Sequence, residues 1–137
     1  SFDGMPVLRL VIPRHEVNQI VLAGTSGQSL AFGPAFHEES ILPGNGGTTV
    51  ISSHRDSHGV YIRKLKKGDM IKLQDRFQKW HSYTIKKFDI LNVNTDNIYT
   101  IDAKEVLLLI TCYPFDGIIS DTPFRYVVSA SQNLSNI

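Results

Sequence analysis

The stretch Val106-Leu107-Leu108-Leu109-Ile110-Thr111-Cys112-Tyr113-Pro114 decides the fold. Its aliphatic run is far shorter than the ~18–20 apolar residues of a membrane span, and both of its faces are apolar, so Val106 to Thr111 reads as a fully buried strand. Pro114 cannot donate to a ladder, so regular pairing stops just past Cys112 and leaves the thiol at a rim. Working outward, Val7 to Ile12 and Val17 to Leu22 alternate with period two and read as a strand pair joined by a Pro-Arg-His-Glu turn. Thr48 to Ser53, rich in β-branched residues, reads as a strand ending at His54. Met70 to Gln74, Trp80 to Val93 and Phe124 to Ser129 read as further strands, with polar turns at Lys66 to Asp69 and Asn92 to Asn97. Trp80, Tyr83 and Phe88 are assigned to the core or to cross-strand packing. Helical turns are expected at Ala35 to Glu39 and Tyr61 to Leu65. The Gly-, Ser- and Pro-rich segment Ala23 to Thr48 is expected to form a long loop, placed to act as a lid, and the tail Ser131 to Ile137 to fray. Seven or eight short strands without a long amphipathic helix predict an all-β barrel or sandwich.

With 137 residues, 42% hydrophobic and 20% charged, and a net charge of +1, the chain fits one globular domain over residues 1–137. Disorder, collagen and the basic signature of a nucleic-acid binder are excluded. Cysteine occurs once, at Cys112, which rules out an internal disulfide and argues against a Cys-based zinc or iron–sulfur cluster. His15, His37, His54, His58 and His81 lack the paired spacing of zinc sites, and Glu38, Glu39 and Asp96 are too isolated for calcium, so no metal and no cofactor is expected. No signal-peptide pattern opens the chain, and position 1 is not methionine. The expectation is a soluble domain from a processed chain or an expression fragment, with a membrane anchor absent from it. The basic stretch Arg63 to Lys67 reads most simply as a solvated face near a turn, with contact to anionic lipid in an anchored protein as the alternative.

Taken singly, Cys112 reads as a small core hydrophobe, and His54 in Ser52-Ser53-His54-Arg55-Asp56 reads as a surface or hydrogen-bonded histidine. Arg125 in Phe124-Arg125-Tyr126 reads as an edge-strand charge. Together they supply what thiol-based acyl transfer requires: a nucleophile, an imidazole to move protons, and a fixed donor for the developing oxyanion. Ser57-His58-Gly59 resembles part of the Ser-His-Gly-Cys motif of L,D-transpeptidases. Val60 stands where that nucleophile must be, so the match fails and His58 is a loop residue.

His54 within Ser-His-Arg-Asp, Thr111-Cys112 closing an aliphatic strand, and Arg125 thirteen positions later in Arg-Tyr-Val-Val resemble a sortase, a cell-envelope cysteine transpeptidase. The order of the three residues, the 58-residue spacing from His54 to Cys112 and the Lys66 to Asp69 turn fit as well. The likeness runs from Val7 to Ser129. In Cys112 to Asp116 and Pro123 to Val128 it is most similar to sortases of Gram-negative bacteria. Ser53 departs from the glycine usual before the histidine and removes no catalytic group.

The resemblance implies a sortase-like closed β-barrel of seven to eight strands with one or two short helical turns. It also implies that Cys112 attacks the Thr carbonyl of a Leu-Pro-x-Thr-Gly-like motif, releases the Gly-containing tail and leaves a thioester that an amine resolves. His54 would protonate the leaving amine and deprotonate the incoming one, while Arg125 would bind the oxyanion and the substrate backbone. Thr111, Ser53, Tyr113 and Phe115 are the expected substrate-binding residues, and the pocket is expected between the loops Asn94 to Lys104 and Tyr113 to Pro123. The implied partners are a surface or secreted protein bearing a C-terminal sorting signal and an amine acceptor. The implied location is the extracytoplasmic face of the envelope, by a membrane anchor in the full-length protein. The competing readings are a cysteine endopeptidase that uses water, and a non-catalytic peptide-binding barrel.

Overall fold

The structure is a computed structural model that describes residues 4–24, 33–97, 104–117 and 122–133. Pro6–Ile12 (β1) and Val17–Ala23 (β2) pair antiparallel across a 3-10 turn at Pro13–His15. Glu16 closes that turn in the left-handed region at φ 55°. Thr48–Ser52 (β4), Met70–Gln74 (β5), Trp80–Asn92 (β6) and Val106–Cys112 (β7) follow the sequence pattern closely. So does the 3-10 turn at Val60–Lys64. With Ala35–Phe36 (β3) and Phe124–Gln132 (β8), the strands among the described residues close in the order β1-β2-β3-β4-β7-β8-β6-β5, the all-β closed barrel expected.

Two expectations are corrected. Ala35–Phe36 is not a helical turn but a short strand (β3), parallel to β2 and antiparallel to β4. The closing barrel needs a strand between β2 and β4, and both side chains are buried there, which overrides the local turn signal. The last strand, Phe124–Gln132 (β8), runs past Ser129 because Ser131 pairs with Thr84 on one side and Val106 on the other, so this part of the tail does not fray. Residues 134–137 of the tail and 25–32 of the expected lid lie outside the described residues.

Strand alternation divides the side chains into two clusters. Leu107 and Leu109 of β7, Ile51 of β4, and Val128 and Ala130 of β8 turn inward to the main core with Leu10, Ile12, Ile71 and Tyr83. Val50, Leu108, Ile110 and Val127 turn the other way and form a second cluster outside the barrel, packed by Leu91 and Val106. A bulge between Ile85 and Lys87 resets the alternation of β6, so Tyr83, Ile85 and then Phe88 all reach the core. Trp80 does not reach it. It stands opposite Gln74 with inward-facing His81 and Tyr83 as its out-of-phase neighbours, and it is 46% exposed. No helix among the described residues is long and apolar enough to cross a membrane.

Candidate active site

β4 and β7 run parallel, with partners from Thr48 and Val106 to Ser52 and Ile110, an offset of 58 throughout. The ladder goes one step further, since the Ser53 N–H donates to the Ile110 carbonyl at 2.9 Å. Buried Thr111 donates its hydroxyl to the Ser53 carbonyl at 2.7 Å. The 58-residue spacing from His54 to Cys112 visible in the sequence equals the offset of this parallel pair, and His54 follows β4 by two residues. On the other side of β7, Cys112 is the direct partner of Arg125 on β8. Cys112 and Arg125 are thus neighbours in one row on β7 and β8, with His54 in the segment just past the end of β4. Cys112 is in phase with Leu108 and Ile110, and Arg125 with Val127, so both belong to the outer face.

His54 is exposed and Cys112 half-buried. The Arg125 guanidinium donates from Nη1 to the carbonyls of Thr122 at 2.6 Å and Phe124 at 2.9 Å. These two bonds fix the guanidinium and do not use the Nη2 and Nε donors. The backbone of His54 is fixed too. Its carbonyl accepts the Gly59 N–H at 2.7 Å, and a Cβ at Gly59 would lie 2.6 Å from that oxygen, so glycine is required there.

Arg125 also borders a cavity of about 240 Å³. Apolar Leu91, Val93 and Ile110 line it together with His37, Ser52, Asp96, Asn97 and Arg125. His37 Nε2 and Ser52 Oγ are 2.5 Å apart. Burial pushes the His37 pKa down, against the nearby Glu39 carboxylate, which raises it. The expected pocket is thus found in part. The Asn94 to Lys104 loop contributes through Asp96 and Asn97, with 98–103 outside the described residues. His37 and Ser52 also line it, and none of the described residues of the loop Tyr113 to Pro123 does, 118–121 lying outside the described residues.

None of the four residues expected to bind substrate lines this cavity. Ser53 and Thr111 are 5% and 2% exposed, turned to the inner side and bonded to each other. Tyr113 and Phe115 pack instead on Tyr126, with ring centroids 6.1 and 4.7 Å away, and Phe88 stacks on the same tyrosine at 5.8 Å. Of this aromatic group, Phe88 and Tyr126 pack against the main core. His15, His81 and His37 are held by Asp69, Asp75 and Ser52, and the described residues contain no group of three metal-ligating side chains. Sequence reasoning missed His37 and Ser52 as pocket residues, and it missed Arg55, which donates to the carbonyls of Pro114 and Gly117 in the loop after Cys112. The β4–β7 offset was the available signal, since it sets residues 52–55 beside 110–113.

Comparison with known proteins agrees with this architecture. The chain is 32% identical over 120 residues to sortase D of Bacillus subtilis (strain 168), covering 87% of this chain and 60% of that protein. Among solved structures, it resembles Clostridium perfringens sortase C with the C-terminal cell wall sorting motif at 26% identity and a TM-score of 0.81, covering 96% of this chain and 72% of that one. The barrel also matches a Clostridium perfringens sortase D5 transpeptidase at 20% identity and a TM-score of 0.81, covering 96% and 81% of the two chains. These relatives come from Gram-positive organisms and lend no support to the likeness with Gram-negative sortases. The family described as Sortase domain matches residues 10–133, nearly the whole chain. On that match, and on the barrel it encodes, the chain belongs to the sortase family.

Proposed function

We propose that this domain is a cysteine transpeptidase acting on a Leu-Pro-x-Thr-Gly-like sorting motif. The Cys112 sulfur, as thiolate, attacks the Thr carbonyl carbon, and the carbonyl oxygen takes up the negative charge. The C–N bond to Gly then breaks as His54 delivers a proton to the departing amine. An incoming amine, deprotonated by His54, attacks the thioester and restores the thiol. Arg125 meets the oxyanion with the donors its carbonyl bonds leave over, and its planar fork keeps them oriented. One observation supports the reading: Cys112 pairs directly with Arg125 across β7 and β8, and Arg125 lines the cavity. The apolar side chains Leu91, Val93 and Ile110 that line the cavity suit a Leu-Pro pair.

The partners in this proposal are a surface or secreted protein carrying a C-terminal sorting signal and an amine acceptor. Placement on the extracytoplasmic face of the envelope, by a membrane anchor in the full-length protein, rests on the family alone. Residues 1–137 act in it as one catalytic domain. The test incubates the protein with a sorting-motif peptide, with and without an added amine, and follows products by mass spectrometry. A Cys112 thioester and an amine-dependent product are expected, and both are lost in Cys112→Ala while its melting temperature is kept. Cleavage by Cys112→Ala would overturn the assignment, and a product independent of amine would favour the water-using endopeptidase.

A further inference from the structure

Arg55 is the residue after His54, yet its side chain is only 6% exposed and points away from water. Its Nη1 donates to the Pro114 carbonyl at 2.9 Å and its Nη2 to the Gly117 carbonyl at 3.1 Å, while Nε lies 3.7 Å from exposed Asp56. Pro114 and Gly117 are the two ends of one turn, closed by the Gly117 N–H to the Pro114 carbonyl at 3.3 Å. One planar guanidinium therefore spans the turn that begins two residues after Cys112. A Cβ on Gly117 would sit 3.0 Å from Nη1 and 3.2 Å from the Pro114 carbonyl, so the glycine makes room for the clamp. A second arginine reaches the same turn from outside: Arg63 pairs with Asp116 at 2.9 Å and lies over the Phe115 ring at 5.6 Å. Its side chain is 42% exposed, and it binds side chains where Arg55 binds backbone.

We propose that Arg55 is a positioning residue for the transfer reaction: by holding both carbonyls of the Pro114–Gly117 turn, it keeps Cys112 in register with His54. The inference rests on the reading of Cys112 as the nucleophile. A buried guanidinium bonded to backbone at fixed angles allows little drift between the two segments, and a misplacement of about 1 Å costs roughly 100-fold in rate. Lysine keeps the charge but has no fork with which to bridge two carbonyls.

The test measures kcat and KM for a sorting-motif peptide in Arg55→Ala, Arg55→Lys, Gly117→Ala and Arg63→Ala, at a temperature where each variant is folded by circular dichroism. Arg55→Ala is expected to lose roughly 10- to 100-fold in kcat with KM within about threefold. Arg55→Lys recovers part of the loss, Gly117→Ala moves the same way, and Arg63→Ala stays within about twofold. Should Arg55→Ala fail to fold, Arg55→Lys and Gly117→Ala decide the matter. A kcat near wild type in every folded variant at Arg55 and Gly117 overturns the proposal, as does an equal loss in Arg63→Ala. Cys112→Ala run alongside separates the two claims: if it retains turnover, the nucleophile assignment has failed and not the clamp.

Discussion

On β7 the side chains of Leu107, Leu109 and Thr111 turn into the barrel, whereas Leu108, Ile110 and Cys112 turn out onto the smaller cluster with Val50, Val127 and Leu91. The inner row is buried to its last member, and even the Thr111 hydroxyl is satisfied by the Ser53 carbonyl. The outer row is buried at Leu108 and Ile110 and opens at Cys112, where Arg125 pairs with it on β8. The same backbone therefore carries two kinds of dependence. The inner face contributes through the area it removes from water, while the end of the outer face contributes through where its groups stand.

Removing packing from the inner face should give the largest effect. Leu109→Ala, at a site 1% exposed, is expected to lose about 2–5 kcal/mol of stability in urea denaturation, while the kcat of the folded fraction holds. A parallel fall in kcat would mean the two faces are coupled. At the outer end the opposite split is expected. Arg125→Lys should lower kcat by about 100- to 1000-fold in peptide cleavage and move the melting temperature little, because the lysine keeps a charge and loses the oriented fork. Thr111→Val tests the seam between the faces. It leaves the Ser53 carbonyl without its hydroxyl donor and should cost about 1–3 kcal/mol, with a smaller drop in kcat, read by denaturation and kinetics on the same sample.

Much of this contrast is legible in the sequence, because it follows from alternation. The apolar run from Val106 to Ile110 with Cys112 at its end already placed the thiol at the rim of a buried strand. The spacing to His54 was visible but without a physical cause until the parallel register supplied one. Long-range closure was not legible. Ala35 and Phe36 carry no strand signal of their own and become β3 only because β2 and β4 stand on either side of them. Assigning Ser53, Thr111, Tyr113 and Phe115 to substrate followed proximity along the chain, whereas in a strand adjacent residues face opposite ways. That is why His37 and Ser52, in phase with the outer face or brought up by β3, line the cavity instead. Arg55 escaped notice because its partners, the Pro114 and Gly117 carbonyls, are backbone atoms that no pattern of side chains marks.

The constant offset between β4 and β7 also bears on how the gene can change. Everything from the 3-10 turn at Val60–Lys64 to the turn after β6 lies inside the crossover that the parallel pair requires, and the ladder, not the length of that crossover, aligns His54 with Cys112. Loops within it, such as Asp75 to Lys79 at the far side of the β5–β6 hairpin, are sites where inserted codons leave the row intact. A single codon gained or lost inside β7 has the opposite outcome: it turns Cys112 into the barrel and puts Thr111 or Tyr113, respectively, in its place on the outer face.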